Sequence, residues 1–307
     1  MEIILGENHD ENSYEEIVMK KDLILGCITN YTFDKVANWA NSIDRSGFDG
    51  HKLVIAYNVG FDIVDELTKR NFTVVTFNRD DANKKFTYRE NFNIVVDRFY
   101  HSWKVLNDIE DQVRYVIATD VRDVVFQTNP TEFLNRHMGP QFFTKIIAST
   151  EGIRYKNETW GNNNMKLSFP FIHEYMSNHV IYNAGVMAGS IDTIKDLFLN
   201  IYMICANMPH TIPGGGGPDQ AAYNALLSMN NYSNFTMFTT AKQAWAAQLG
   251  TVADPSKINQ YRPYLTDHEP IIENGEVFNN EGQKYCIVHQ YDRVPSLLPL
   301  INLKYGK

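Results

Sequence analysis

The chain has 307 residues, 44% hydrophobic and 13% aromatic, enough apolar material for a sizeable core in one α/β domain or two closely joined lobes. Its 36 acidic residues against 28 basic ones give a formal net charge of −8, which argues against nucleic acid or another polyanion as a partner. No apolar run approaches the roughly 20 residues that cross a bilayer, and the start, MEIILGENHDENSYEE, turns acidic too early for a secretory signal, so a cytoplasmic protein without an integral membrane segment is expected.

In chain order, the first half carries short continuous apolar runs: LILGCIT (23–29), KLVIAYN (52–58), FTVVTF (72–77), YVIATD (115–120) and KIIAST (145–150). Runs of this kind suit strands covered on both faces. Between them, residues 34–45 predict a helix through Val36, Ala37, Trp39, Ala40 and Ile43. The segment ENFNIVVDRFYHSWKVLND predicts a second, with Phe92, Val95, Val96, Phe99, Trp103 and Leu106 spaced by three and four along one buried stripe. Strands alternating with helices predict an α/β fold with a mostly parallel central sheet flanked by helices.

The second half opens on a polar, Asn-rich stretch, YKNETWGNNNMK (155–166), read as a loop. A strand, VIYNAGVMAG (180–189), follows, then an apolar helix near 190–206 and a glycine run, PGGGGPDQ (213–220), that opens another helix. FTMFTT (235–240) and KYCIVHQYD (284–292) read as late strands. With no internal repeat and no Pro/Ser/Gly-rich linker, residues 1–307 are expected to form a single domain. Cys27, Cys205 and Cys286 are widely spaced in apolar surroundings and suit reduced core thiols.

In open α/β sheets ligands bind outside the carboxyl ends of the strands, so polar residues that terminate apolar runs are the first candidates for a site. Asp120 and Asp123, in YVIATDVRDVVFQ, sit three apart at such an end, and a tight turn through Val121 and Arg122 would aim both carboxylates into one cavity. Crowded carboxylates raise each other's pKa unless a cation neutralises them. Mn2+ or Mg2+ would do so, taking one or two carboxylates at about 2.1 Å and leaving positions for diphosphate oxygens. The competing account is a capped turn in which Asp123 pairs with Arg122. His289 ends the run YCIVH, where a neutral imidazole suits a metal ligand or a diphosphate hydrogen bond. Asp292 and Arg293 follow closely enough to reach the same cavity, Arg293 as a phosphate partner.

Asn183, Ala184 and Gly185 lack bulk, so either a sugar ring lies against their backbone while the Asn183 amide reads a hydroxyl, or they form a tight turn. Asp219 and Gln220 follow Pro218, a favoured first helical residue, and are held at a helix start as reactive groups or as a dipole cap. Gly214 to Gly217 read as a flexible loop or a flap. Arg98, beside the buried stripe, either reaches a diphosphate or Asp120, or snorkels to solvent.

TDVRDVVFQTNP resembles the acidic DxD metal motif of GT-A-fold glycosyltransferases, with two residues between the acids instead of one. Further segments follow in the order of glycogenin-like enzymes: YNAGVMAG is similar to their donor-sugar strand, GGGGPDQAAYN to their DQ helix start, and CIVHQYDR to the late strand whose histidine completes the metal site. The resemblance implies a GT-A fold, with a nucleotide-binding half at about 20–150 and a donor-sugar and acceptor half at 151–307. It implies a metal-dependent transfer of sugar from a nucleoside-diphosphate donor, most readily a UDP-sugar, to a glycan or other hydroxyl acceptor, and leans towards retention. Asp120, Asp123 and His289 would hold the metal. Asp219, Gln220 or Asp292 would act at the reacting carbon, and Arg98, Asp120, Asn183, Ala184, Gly185 and Arg293 would contact the donor. Position in that fold gives Thr29 a base-edge hydrogen bond and Tyr31 a stacking role. Trp245 and Gln248, in QAWAAQLG, either face the acceptor or pack internally.

Two other readings stand beside this one. A nucleotidyltransferase shares the sheet and the metal carboxylates but usually needs a glycine-rich basic loop after the first strand, where ITNYTFDKVANWA has no glycine. A non-catalytic carbohydrate-binding protein of the same fold would keep the pocket without turnover.

Overall fold

The computed structural model of the chain describes residues 2–4, 19–90, 92–208 and 216–306. Gly214 and Gly215 of the glycine run, and most of the acidic N-terminal stretch, lie outside them.

The main sheet has eight strands: β1 (Glu2–Ile4), β2 (Lys21–Thr29), β3 (His51–Tyr57), β4 (Thr73–Thr76), β5 (Val113–Thr119), β7 (Ile146–Arg154), β8 (Val180–Ser190) and β9 (Thr236–Thr239). A short strand, β6 (Val124–Phe126), follows β5 and belongs to a second sheet with β10 (Ala246–Gln248) and β11 (Ile287–His289). The spatial order of the main sheet is β1-β4-β3-β2-β5-β8-β7-β9. β4, β3, β2 and β5 are mutually parallel, and β7 with β9 is parallel; β8 runs antiparallel between β5 and β7, and β1 antiparallel at the edge. The expected α/β architecture with a mostly parallel central sheet is therefore present, and its strands come from both halves of the chain.

The continuous apolar runs become strands because both faces are covered. On one face, α1 (Ala37–Arg45) and α2 (Phe61–Thr68) bury Trp39, Ile43, Ile63 and Leu67 against Ile24, Ile28, Val54 and Ile117. Trp39 keeps its indole proton satisfied by donating to Thr119 Oγ1 at 2.8 Å, so this large ring can be fully buried at the sheet's centre. On the other face, α3 (Ile94–Asp108) and α6 (Ile191–Cys205) pack Val96, Phe99, Leu106, Ile194 and Phe198 on Leu23, Leu25, Val116 and Met187. The α3 stripe is the one its three-and-four spacing predicts, and Asn93 caps its start by accepting from Val95 N at 3.2 Å.

The Asn-rich stretch departs from its reading as a loop. Residues Thr159–Ser168 form helix α5, after a short helix α4 at Pro130–His137. Three consecutive asparagines are poor helix formers, and tertiary contacts override that preference. Glu158 caps the helix by accepting from Trp160 N and Gly161 N and also accepts from the Tyr261 hydroxyl at 2.8 Å. Asn164, buried, donates to Gly217 O at 3.0 Å. Helix α7 (Asp219–Leu227) begins after Pro218, and α8 (Leu298–Tyr305) closes the described chain.

The topology fixes where a site belongs. From β2 the chain moves outward through β3 and β4, then returns along α3 to β5 on β2's other side. Direction of travel reverses between β2 and β5, so the crevice at their carboxyl ends, Thr29 and Thr119, is the topological switch point. No helix among the described residues is long and apolar enough to cross a membrane.

Candidate metal and ligand site

β5 ends at Thr119, and the chain turns through Val121 and Arg122 into β6. The turn is anchored where the Tyr291 hydroxyl donates to Arg122 O at 3.0 Å and accepts from Asn38 at 2.9 Å. This places Asp120 at the end of the main sheet and Asp123 at the start of the small one. β11 pairs with β6 so that His289 lies opposite Val124, and with β10 so that His289 lies beside Gln248. Gln290 N extends that ladder by donating to Asp123 O at 2.7 Å.

His289 Nε2 consequently lies 3.6 Å from Asp120 Oδ2 and 3.8 Å from Asp123 Oδ1. One ligand atom from each of the three residues falls within 4.8 Å of the others. The donor set, two carboxylates and an imidazole, could hold a divalent metal ion. His289 Nδ1 lies 2.7 Å from Gln248 Oε1, an acceptor, so Nδ1 carries a proton and Nε2, the nitrogen whose lone pair is free when the ring is neutral, faces the carboxylates. Gly185 leaves the necessary space, since a Cβ there would stand 2.4 Å from His289 Cε1 and 2.8 Å from Asp120 Oδ2.

The electrostatics divide the two acids. Burial opposes the Asp120 charge, but Arg98 and His289 outweigh it and hold this carboxyl well below the usual range. Asp123 is pushed up by burial and by Asp120, with His289 partly offsetting them. Burial favours a neutral His289, yet the two aspartates raise its pKa above 6.5. A divalent cation would relieve the same accumulation of negative charge.

Arg98 reaches inward from α3, donating from Nη1 to Asp120 Oδ1 at 2.6 Å and from Nη2 to Asp219 Oδ2 at 2.9 Å. It therefore takes the carboxylate alternative of the two that its sequence position allows. Asp219, at the start of α7, is raised by burial against the pull of Arg98. Its neighbour Gln220 is committed at both ends of its amide, donating to Glu151 Oε1 at 3.0 Å and accepting from Ala184 N at 3.2 Å.

These groups line a cavity of about 480 Å³. Asp120, Asp123, His289, Arg98, Asp219 and Gln220 come together there, joined by Asn183, Ala184, Gly185 and Arg293. Five expected residues do not line it. Thr29 and Tyr31 sit outside its wall; Tyr31 still feels the charges of Arg122, Asp120 and Asp123, with burial raising its hydroxyl most. Asp292 is absent from the lining; its carboxylate lies 3.6 Å from Arg122 Nη2 and 3.6 Å from Arg293 Nε, two residues that do line the cavity. Trp245 is fully buried with its ring 4.6 Å from that of Phe133, so it packs internally, and Gln248 is the histidine's partner.

The cavity also contains residues that the sequence did not single out. Trp160, from α5, and Lys257 contribute to its lining, and Lys257 makes no ion pair among the described residues. Glu151 lies at an irregularity of β7, beside Gly152 at φ +69, where the strand was expected to have ended. The signal available in STEGIRY was an acid followed by glycine directly after an apolar run, the composition of a bulge that re-aims a side chain. Comparison with protein-family models and with curated proteins finds no match to this chain.

Proposed function

We propose that the chain is a metal-dependent glycosyltransferase of the GT-A type, moving a sugar from a nucleoside diphosphate to a hydroxyl acceptor. The observation that carries this reading is the Asp120–Asp123–His289 cluster, opening into a large polar cavity at the switch point of an α/β sheet. A divalent ion held by these residues would neutralise charge on a departing diphosphate.

The protein's own groups support the rest of the reaction. Arg122, Arg293 and Lys257, on the cavity wall, supply positive charge suited to phosphate oxygens. Trp160 offers an aromatic face on which a sugar ring can stack. Asp219 is buried and oriented by Arg98, so a carboxylate of fixed position faces the reacting region. We assign Asp219 the role nearest the reacting carbon, since Gln220 spends its amide on the protein and Asp292 does not line the cavity.

The test is release of UDP, GDP or ADP from the corresponding nucleotide sugars with Mn2+ and a set of hydroxyl acceptors, a CMP-linked sugar, which releases a monophosphate, serving as control. Turnover with one donor that Asp123→Asn abolishes supports the reading. Sugar binding without turnover of any donor favours a carbohydrate-binding protein, and release of pyrophosphate from a nucleoside triphosphate favours a nucleotidyltransferase.

A further inference from the structure

Between β7 and β8 the sheet register breaks. Ala148 pairs with Met187 and Thr150 with Tyr182, so two steps along β7 are matched by five along β8. The backbone of Asn183 to Val186 is thus drawn out of the ladder with β7, which leaves its N–H groups in need of other acceptors. Side chains supply them: Gly185 N donates to Asn183 Oδ1 at 2.6 Å, and Ala184 N donates to Gln220 Oε1 at 3.2 Å.

Both amides point the opposite way with their NH2 groups, and to one atom. Asn183 Nδ2 donates to Glu151 Oε1 at 2.8 Å and Gln220 Nε2 donates to the same oxygen at 3.0 Å. Thr251 Oγ1 donates to the second oxygen, Oε2, at 3.2 Å. Glu151 is 6% exposed and makes no ion pair among the described residues. Burial and the nearby Glu158 raise the Glu151 pKa, but Oε1 takes both NH2 donors in either charge state, so the carboxyl dictates the orientation of both amides: NH2 towards Glu151, oxygen towards the backbone. The bulged segment then meets the metal ligands directly, because Asp120 N donates to Gly185 O at 2.8 Å and Gly185 faces His289 and Asp120 Oδ2.

We propose that Glu151 is a positioning residue for the Asp120–Asp123–His289 cluster, acting through the amides of Asn183 and Gln220 on the backbone of Ala184 and Gly185. This inference rests on the metal reading of the cluster above. It gives a purpose to a buried acid without a cationic partner, and it explains why the β7 bulge and Gly152 occur where they do.

The experiment is Mn2+ affinity, read from the free-ion EPR signal, for the wild type, Glu151→Ala, Glu151→Gln and Asn183→Ala, each checked for folding by circular dichroism. Loss of an outer partner of a metal ligand typically weakens affinity about 10- to 100-fold, and a loss of that size is expected in Glu151→Ala and Asn183→Ala. Glu151→Gln keeps an acceptor oxygen for both amides and can donate to Thr251, so its affinity should stay within about threefold of wild type. If Glu151→Ala fails to fold, Asn183→Ala carries the test, because it cuts the same relay by a smaller change. Wild-type affinity in a folded Asn183→Ala, or an equal loss in Glu151→Gln and Glu151→Ala, overturns the inference and leaves the metal site standing. No Mn2+ binding by the wild type overturns the metal reading itself.

Discussion

Adding one methyl group at Gly185 should disturb the cluster more than any other change of its size. A Cβ there would lie 2.4 Å from His289 Cε1, 2.8 Å from Asp120 Oδ2 and 2.9 Å from Asn183 Oδ1, where ordinary contact begins at 3.4 Å. The imidazole would have to retreat by about 1 Å, the difference between 3.4 and 2.4 Å. His289 is 2% exposed and its strand is paired on both sides, so it has little room to move. Overpacking of this kind costs about 1–3 kcal/mol. At about 2–4 °C per kcal/mol for chains somewhat smaller than this one, Gly185→Ala should lower Tm by roughly 2–12 °C. Displacing a ligand-bearing ring should also weaken Mn2+ binding at least about tenfold, equivalent to about 1.4 kcal/mol. Thermal unfolding and Mn2+ titration read the two effects separately. A variant with wild-type Tm and wild-type affinity would refute the idea that the absence of a side chain at Gly185 shapes the site.

Other outcomes follow from the same geometry. Gln248→Leu removes the acceptor that fixes the His289 tautomer and should cost about 10- to 100-fold in Mn2+ affinity, measured by titration calorimetry; unchanged affinity would mean that the tautomer is set elsewhere. Arg98→Ala leaves Asp120 and Asp219 without their shared partner and should destabilise the fold by about 3–5 kcal/mol in urea unfolding, with a loss below about 1 kcal/mol contradicting it. The pH dependence has a defined sign. His289 has a folded pKa raised above 6.5, so its contribution to metal-free stability is fully present below 6.5 and is lost as pH rises through the folded value. Metal needs the unprotonated ring, so Mn2+ affinity should climb through that same window and level off above it; an affinity flat from pH 6 to 8.5 would exclude His289 as a ligand.

Much of the fold was legible because its signals were strong and local. YVIATD and LILGCIT are continuous apolar runs, and they became central strands covered on both faces. Asp120 and His289 were conspicuous because each ends such a run, and Asp123 because it lies three residues past Asp120. What escaped notice depends on long-range contacts. YKNETWGNNNMK is a helix only because Glu158 meets Tyr261 and Asn164 meets Gly217, both far away in sequence. Glu151 looked like the first polar residue after a strand, and its role became visible only when residues 183, 220 and 251 were found around it. Trp245 stayed open between an acceptor face and the core, since an aromatic beside small residues is consistent with either, and only its full burial decides for the core.

The central claim is that Asp120, Asp123 and His289 hold a divalent metal against a nucleoside diphosphate. It is tested most directly by the unfolding temperature with UDP, GDP, ADP or CMP, each with and without Mn2+, for the wild type and Asp123→Ala. A ligand at about 100 times its Kd adds roughly 2.7 kcal/mol, a shift of about 5 °C or more. The account predicts such a shift for one of the diphosphates UDP, GDP or ADP only with Mn2+ present, and none for CMP or in Asp123→Ala. A shift that is independent of metal, equal in Asp123→Ala, or absent for every nucleotide would contradict it.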